Sequence, residues 1–114
     1  MAETLREKQS RFVLAVAKLI EYAYSQGYEL TFGEAWRTPE QAKWNAENGK
    51  GISNSLHIDR LAIDFNLFKD GKYLSKSLDH KPLGLYWESL GPDHRWGGRF
   101  GDGNHYSLSH EGRQ

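Results

Sequence analysis

An imidazole and a carboxylate, His57 and Asp64, bracket a short apolar run that reads as a strand. A second polar cluster, Asp102 to His105, leads into a short alternating segment near the C-terminus. Two histidines and one aspartate form a common ligand set for a catalytic zinc ion, which takes three protein ligands and keeps one position open. A histidine near a strand is by default a surface residue or a satisfied core residue. Asp64 weighs against that default here. It follows Leu61, Ala62 and Ile63 and precedes Phe65, where a buried carboxylate costs several kcal/mol unless a cation or hydrogen-bond donors compensate. A divalent metal supplies that compensation, and His105 supplies a third ligand if its strand pairs beside the strand of Asp64. Asp59 is a competing ligand, but it lies close to a turn where water or Arg60 can satisfy it. Asp102 would place a carboxylate against the open position, where it would take a proton from the attacking water and return it to a leaving amine. The alternative for Asp102 is a plain turn residue between Gly101 and Gly103.

Composition narrows the chemistry. With no cysteine in the chain, thiolate nucleophiles, disulfides and Cys-rich zinc sites are excluded, and any metal must be held by nitrogen and oxygen. Two imidazoles and a carboxylate suit zinc better than magnesium or calcium. The 15 Lys and Arg residues balance 15 Asp and Glu, so no net field favours nucleic acid or an anionic membrane surface. A metal-dependent nuclease, suggested only by Asn104 beside His105 and by Asp93 beside His94, lacks the basic stripe such a substrate needs. A chain of 114 residues makes one domain, with abundant aromatics to fill a small core. Phe12 to Ala17 is apolar, but Glu3 and Glu7 occupy the place of a basic n-region and Lys18 ends the run, so it does not read as an export signal. No stretch approaches the roughly 20 apolar residues of a membrane span.

The elements that must position these groups follow from pattern and punctuation. Thr4 and Glu7 match a capping box, and Phe12, Val13, Val16, Leu19, Ile20 and Ala23 recur at helical spacing up to Gly27, predicting an amphipathic helix over 4–26. A strand is expected over 28–36, ending at Arg37. Thr38, Pro39 and Gln41 then start a second helix that stops at Asn48 and Gly49. A flexible loop containing Gly51 and Ser53 to Ser55 delivers the chain to His57. Leu61 to Phe68 is the best strand, turned by Asp70 and Gly71 into Lys72 to Leu74. A helix is expected over 78–90, then a Gly-rich loop from Arg95 to Gly103, then a last strand over 105–108. His80, His94 and His110 read as solvated turn and tail residues. The order predicts an α+β domain, a mostly antiparallel sheet flanked by helices.

Taken together, these motifs resemble a known family. Ser55 and His57, Ala62 and Asp64, then Asp102 and His105 are spaced as in the zinc peptidases that comprise D-alanyl-D-alanine carboxypeptidases and L-alanyl-D-glutamate endopeptidases. That family includes small phage endolysins and shares its core fold with the hedgehog signalling domain. Arg37, Thr38 and Gln41 upstream and Trp96, Gly97 and Gly98 before the last motif extend the resemblance over about residues 34–108. It implies one zinc ion on His57, Asp64 and His105, Asp102 as general base and then acid, and Arg37 on the substrate or the developing oxyanion. It implies that Ser55 hydrogen-bonds the substrate. The alternatives are a solvated charge for Arg37 and an ordinary loop hydroxyl for Ser55.

Two departures matter. Many members carry a glutamate two residues after the last zinc histidine, where this chain has Ser107, so another group must support His105. The catalytic carboxylate is often glutamate in the carboxypeptidases, and Asp102 leans toward the endolysin branch. The resemblance therefore implies a single zinc peptidase domain over 1–114 acting on the stem peptide of peptidoglycan. An L-alanyl-D-glutamate endopeptidase comes first, a D-alanyl-D-alanine carboxypeptidase second, and a non-catalytic wall-binding module of the same fold third. It further implies a monomer that waits in the host cytoplasm, or travels with a virion, until it meets the wall, without nucleic acid or membrane insertion.

Overall fold

The structure, a computed structural model, describes residues 3–48 and 56–113. Its first helix, α1, spans Leu5–Ser25. Thr4 caps it reciprocally, accepting from the Glu7 amide at 3.1 Å while its own amide donates to the Glu7 carboxylate at 3.0 Å. Phe12, Ala15, Val16, Leu19 and Ala23 form the buried stripe, and Gly27 turns the chain with φ of 86°. Strand β1, Tyr28–Phe32, then pairs antiparallel with β2, Ala62–Lys69, from Tyr28 opposite Lys69 to Phe32 opposite Phe65. Between them in sequence lies helix α2, Pro39–Glu47, capped by Thr38 with Pro39 in its first turn.

Asp70 and Gly71 both adopt positive φ, 52° and 76°, as a two-residue hairpin turn needs, and return β2 into the short β3, Lys72–Tyr73. Helix α3 is Lys81–Ser89, preceded by a separate 3-10 turn, Ser77–His80. The single helix expected over 78–90 is thus divided. Pro82, which has no amide to donate, sits in the first turn of α3 and fixes its start there. Within the expected Gly-rich loop the structure has a strand β4, His94–Trp96, and a 3-10 turn, Gly97–Phe100. Buried Trp96 explains both. Its indole N–H donates to the Gly103 carbonyl at 2.7 Å, and a Cβ on Gly84 or Gly98 would lie 2.1 Å from its ring. Those glycines make the slot it fills.

Strand β5, His105–Leu108, completes an antiparallel sheet of order β1-β2-β5-β4, with β3 on β2. Alternation along β2 and β5 divides the sheet's faces. Ile63, Phe65, Leu67, Tyr106 and Leu108 join α1 and α3 in the core, where Trp87 meets Phe12 edge-on at 5.7 Å and donates to the Ser107 carbonyl at 2.9 Å. Asp64, His105 and Ser107 point to the opposite face. This is the α+β class expected, with the polar cluster and the apolar core on opposite sides of one sheet.

His80 and His94 correct the sequence reading: both are only 4% exposed. His80 shares a 2.8 Å hydrogen bond with the Tyr106 hydroxyl, and His94 lies 4.5 Å from the Trp87 ring. His110 is half-buried beside Lys8. Turn position in the sequence carried no information about the rings packed over them.

Candidate metal centre

Asp64 and His105 are direct partners in the β2–β5 register, so their side chains leave the sheet on the same face. His57 comes from the turn before β2, whose Leu61 amide is held by the Leu56 carbonyl at 3.0 Å. The ligand atoms of His57, Asp64 and His105 lie within 4.8 Å of one another. One oxygen, Asp64 Oδ1, is 3.3 Å from His57 Nε2 and 3.2 Å from His105 Nδ1. The rings stand 5.2 Å apart and 69° to each other, so both nitrogens aim at a shared point without stacking. Burial alone would push the Asp64 carboxyl up. Hydrogen bonds from His105 and His57, and the charge of both rings, outweigh it and hold the carboxyl at about 2. Two nitrogens and a carboxylate converging on one buried point fit a transition-metal ion of zinc type, and these residues could hold one.

Asp102 lies outside that group of three, on the exposed turn before β5. Its amide donates to the Gly97 carbonyl at 2.8 Å, and its carbonyl accepts from the His105 amide at 3.1 Å. Gly97 is required for this turn, because a Cβ there would meet the Asp102 carbonyl at 2.2 Å and the His105 Cβ at 2.7 Å. Partial burial raises the Asp102 carboxyl above the usual carboxylate range, the His105 ring opposes this, and the charge of Asp64 adds to it. A carboxyl that binds its proton more readily than usual is suited to accept and release one during a reaction.

Arg37 reaches the same region from the other side of the sequence. Its amide donates to the His57 carbonyl at 3.2 Å, its guanidinium pairs with Glu34, and its side chain is 13% exposed, so it is not a solvated surface charge. Ser55 lies outside the described residues. Asp59 is paired with Arg113 and not with Arg60, which instead lies 4.6 Å above the Trp36 ring. Ser107 is fully buried between β2 and β4.

Sequence reasoning passed over Glu34. Strand β1 ends at Phe32, short of the expected 36, because Gly33 and Glu34 together oppose Asp64. The Gly33 amide donates to the Asp64 carbonyl and the Asp64 amide donates to the Glu34 carbonyl, both at 2.8 Å. Two residues against one is the pattern of a β-bulge, which bends a strand and re-aims its side chains. The signal for it was Gly33 inside a strand pattern, followed by an acid three positions before Arg37. Phe100 was also missed; exposed, it stands 6.3 Å from the His105 ring.

Fold and site together define a small α+β domain carrying a candidate metal centre on the sheet face that bears Asp64 and His105. A solved structure shares this fold: the L-Ala D-Glu endopeptidase ChiX of Serratia marcescens, with a TM-score of 0.74 and 17% sequence identity over 94% of this chain and 84% of that chain. No protein-family model matches the sequence, and no curated protein matches it. Among the described residues no helix is long and apolar enough to cross a membrane.

Proposed function

We propose that this protein is a zinc-dependent peptidoglycan peptidase that cuts the stem peptide between L-alanine and D-glutamate. The observation that carries the reading is the convergence of His57, Asp64 and His105 within 4.8 Å on a fold shared with an L-Ala D-Glu endopeptidase. A zinc ion bound there supplies Lewis-acid polarisation of a peptide carbonyl and acidifies a water nucleophile. The chain's own residues do the rest. Asp102 takes the proton of the attacking water on its carboxylate and passes it to the departing amine. Arg37 holds charge on the substrate carbonyl or on a stem-peptide carboxylate, for which a planar guanidinium is suited. Ser55 hydrogen-bonds the substrate. One domain over 1–114, working as a monomer, is sufficient for this chemistry. The setting that fits is a phage lysis or virion-associated enzyme, held in the host cytoplasm until the membrane opens and then acting on the wall.

Digestion of purified peptidoglycan with zinc-loaded protein, followed by mass spectrometry of the new termini, tests the reading. New D-glutamate amino termini are expected. Free D-alanine without them would make the protein a D-alanyl-D-alanine carboxypeptidase, and binding of wall fragments without cleavage would make it a wall-binding module.

A further inference from the structure

The bulge opposite Asp64 has a consequence for the residues around the metal centre. Gly33 is needed for it, since a Cβ there would lie 2.9 Å from the Asp64 carbonyl oxygen and 3.0 Å from the Asp64 Cβ. With the backbone pinned on Asp64, the next side chain, Glu34, turns toward the site. Its Oε1 is buried and pairs with the Arg37 guanidinium, and the same oxygen lies 3.7 Å from Nδ1 of His57. The other nitrogen of that ring, Nε2, is the one that faces Asp64. Arg37 is in turn tied to His57 through its amide and the His57 carbonyl. Arg37 thus bonds to both Glu34 and His57, and the Glu34 carboxylate, anchored to Asp64 through its backbone, stands within ion-pair range of the His57 ring but beyond hydrogen-bond length.

We propose that Glu34 is a positioning residue that sets the His57 imidazole and the Arg37 guanidinium with one carboxylate oxygen. A carboxylate behind a metal-ligating imidazole fixes the ring's tautomer and orientation and raises its basicity. On zinc binding, closing the 3.7 Å gap between Nδ1 and Glu34 to a hydrogen bond would place the proton on Nδ1 and direct the Nε2 lone pair at the centre. The same carboxylate neutralises Arg37 beside a site that must accept a cation, and holds the guanidinium in place. This rests on the proposed zinc site.

The test compares zinc affinity, by competition with a chromophoric chelator, among the wild type, Glu34→Ala, Glu34→Gln and the double variant Glu34→Ala/Arg37→Ala. NMR of the zinc-loaded forms reports the His57 Nδ1 proton. Expected are a 10–100-fold loss of affinity in Glu34→Ala, partial recovery in Glu34→Gln, and loss of the protected Nδ1 proton in Glu34→Ala. Glu34→Ala with wild-type affinity and an unchanged Nδ1 proton overturns the proposal. Full recovery in the double variant also overturns it, because the loss would then come from the exposed charge of Arg37 and not from ring placement. A wild type that takes up no zinc at His57, Asp64 and His105 defeats the metal-centre reading itself.

Discussion

Lowering the pH should weaken this fold through His80 before the acidic groups titrate. The ring is buried at the end of the 3-10 turn before α3 and shares its 2.8 Å hydrogen bond with the hydroxyl of Tyr106, itself held protonated by burial. Burial pushes His80 down from 6.5 to about 4, and the charge of Asp79 only partly opposes this. In the unfolded chain the ring regains its ordinary value. Between these two values the unfolded chain binds a proton that the folded one refuses, so stability is full above about pH 6.5 and falls as the pH drops toward 4. The gap corresponds to ~3 kcal/mol in total, of which ~2 kcal/mol is gone by about pH 5. Urea denaturation of the chelator-treated protein, repeated from about pH 7.5 to about pH 5, measures this. Other ionisable groups also respond to pH, so the informative quantity is the difference from His80→Gln, whose amide can still meet the Tyr106 hydroxyl. The variant should start lower at neutral pH and lose ~2 kcal/mol less on acidification. Parallel curves for the two proteins would refute the assignment of this acid sensitivity to His80.

Other outcomes follow from the site and the core. Zinc at about 100 times its dissociation constant should stabilise the protein by ~2.7 kcal/mol, raising the melting temperature in calorimetry. Asp64→Asn should remove that rise, since it deletes the oxygen shared by both imidazoles. Asp102→Asn should leave zinc stoichiometry unchanged, because Asp102 stands outside the ligand group, while reducing peptidoglycan cleavage by ~100-fold or more. Gly84→Ala should cost ~1–3 kcal/mol or more in chemical denaturation, because the new methyl would lie 2.1 Å from the buried Trp96 ring; a wild-type midpoint would show that the slot can widen.

The sequence by itself determined whatever is decided by neighbours along the chain. The reciprocal cap of Thr4 and Glu7, the stop at Gly27, the helix start at Thr38 and Pro39 and the turn at Asp70 and Gly71 all depend on local hydrogen bonds and local φ. The lone carboxylate of Asp64 in an apolar strand was likewise visible, because burying a charge demands compensation wherever the strand goes. The Pro82 break before α3 was written there too, though the apolar spacing from Leu78 to Leu90 masked it.

Tertiary structure alone decided what meets what. His105 and Asp64, 41 positions apart, face each other because of the β2–β5 register, which depends on the hydrophobic faces of both strands and not on either motif. Glu34 enters the site only through a bulge created by pairing with Asp64. His80 and His94 are buried by Tyr106 and Trp87, residues that no local pattern places over them. Local sequence can state that a charge needs a partner; only packing can choose it, because the partner is brought in by apolar surface elsewhere in the chain.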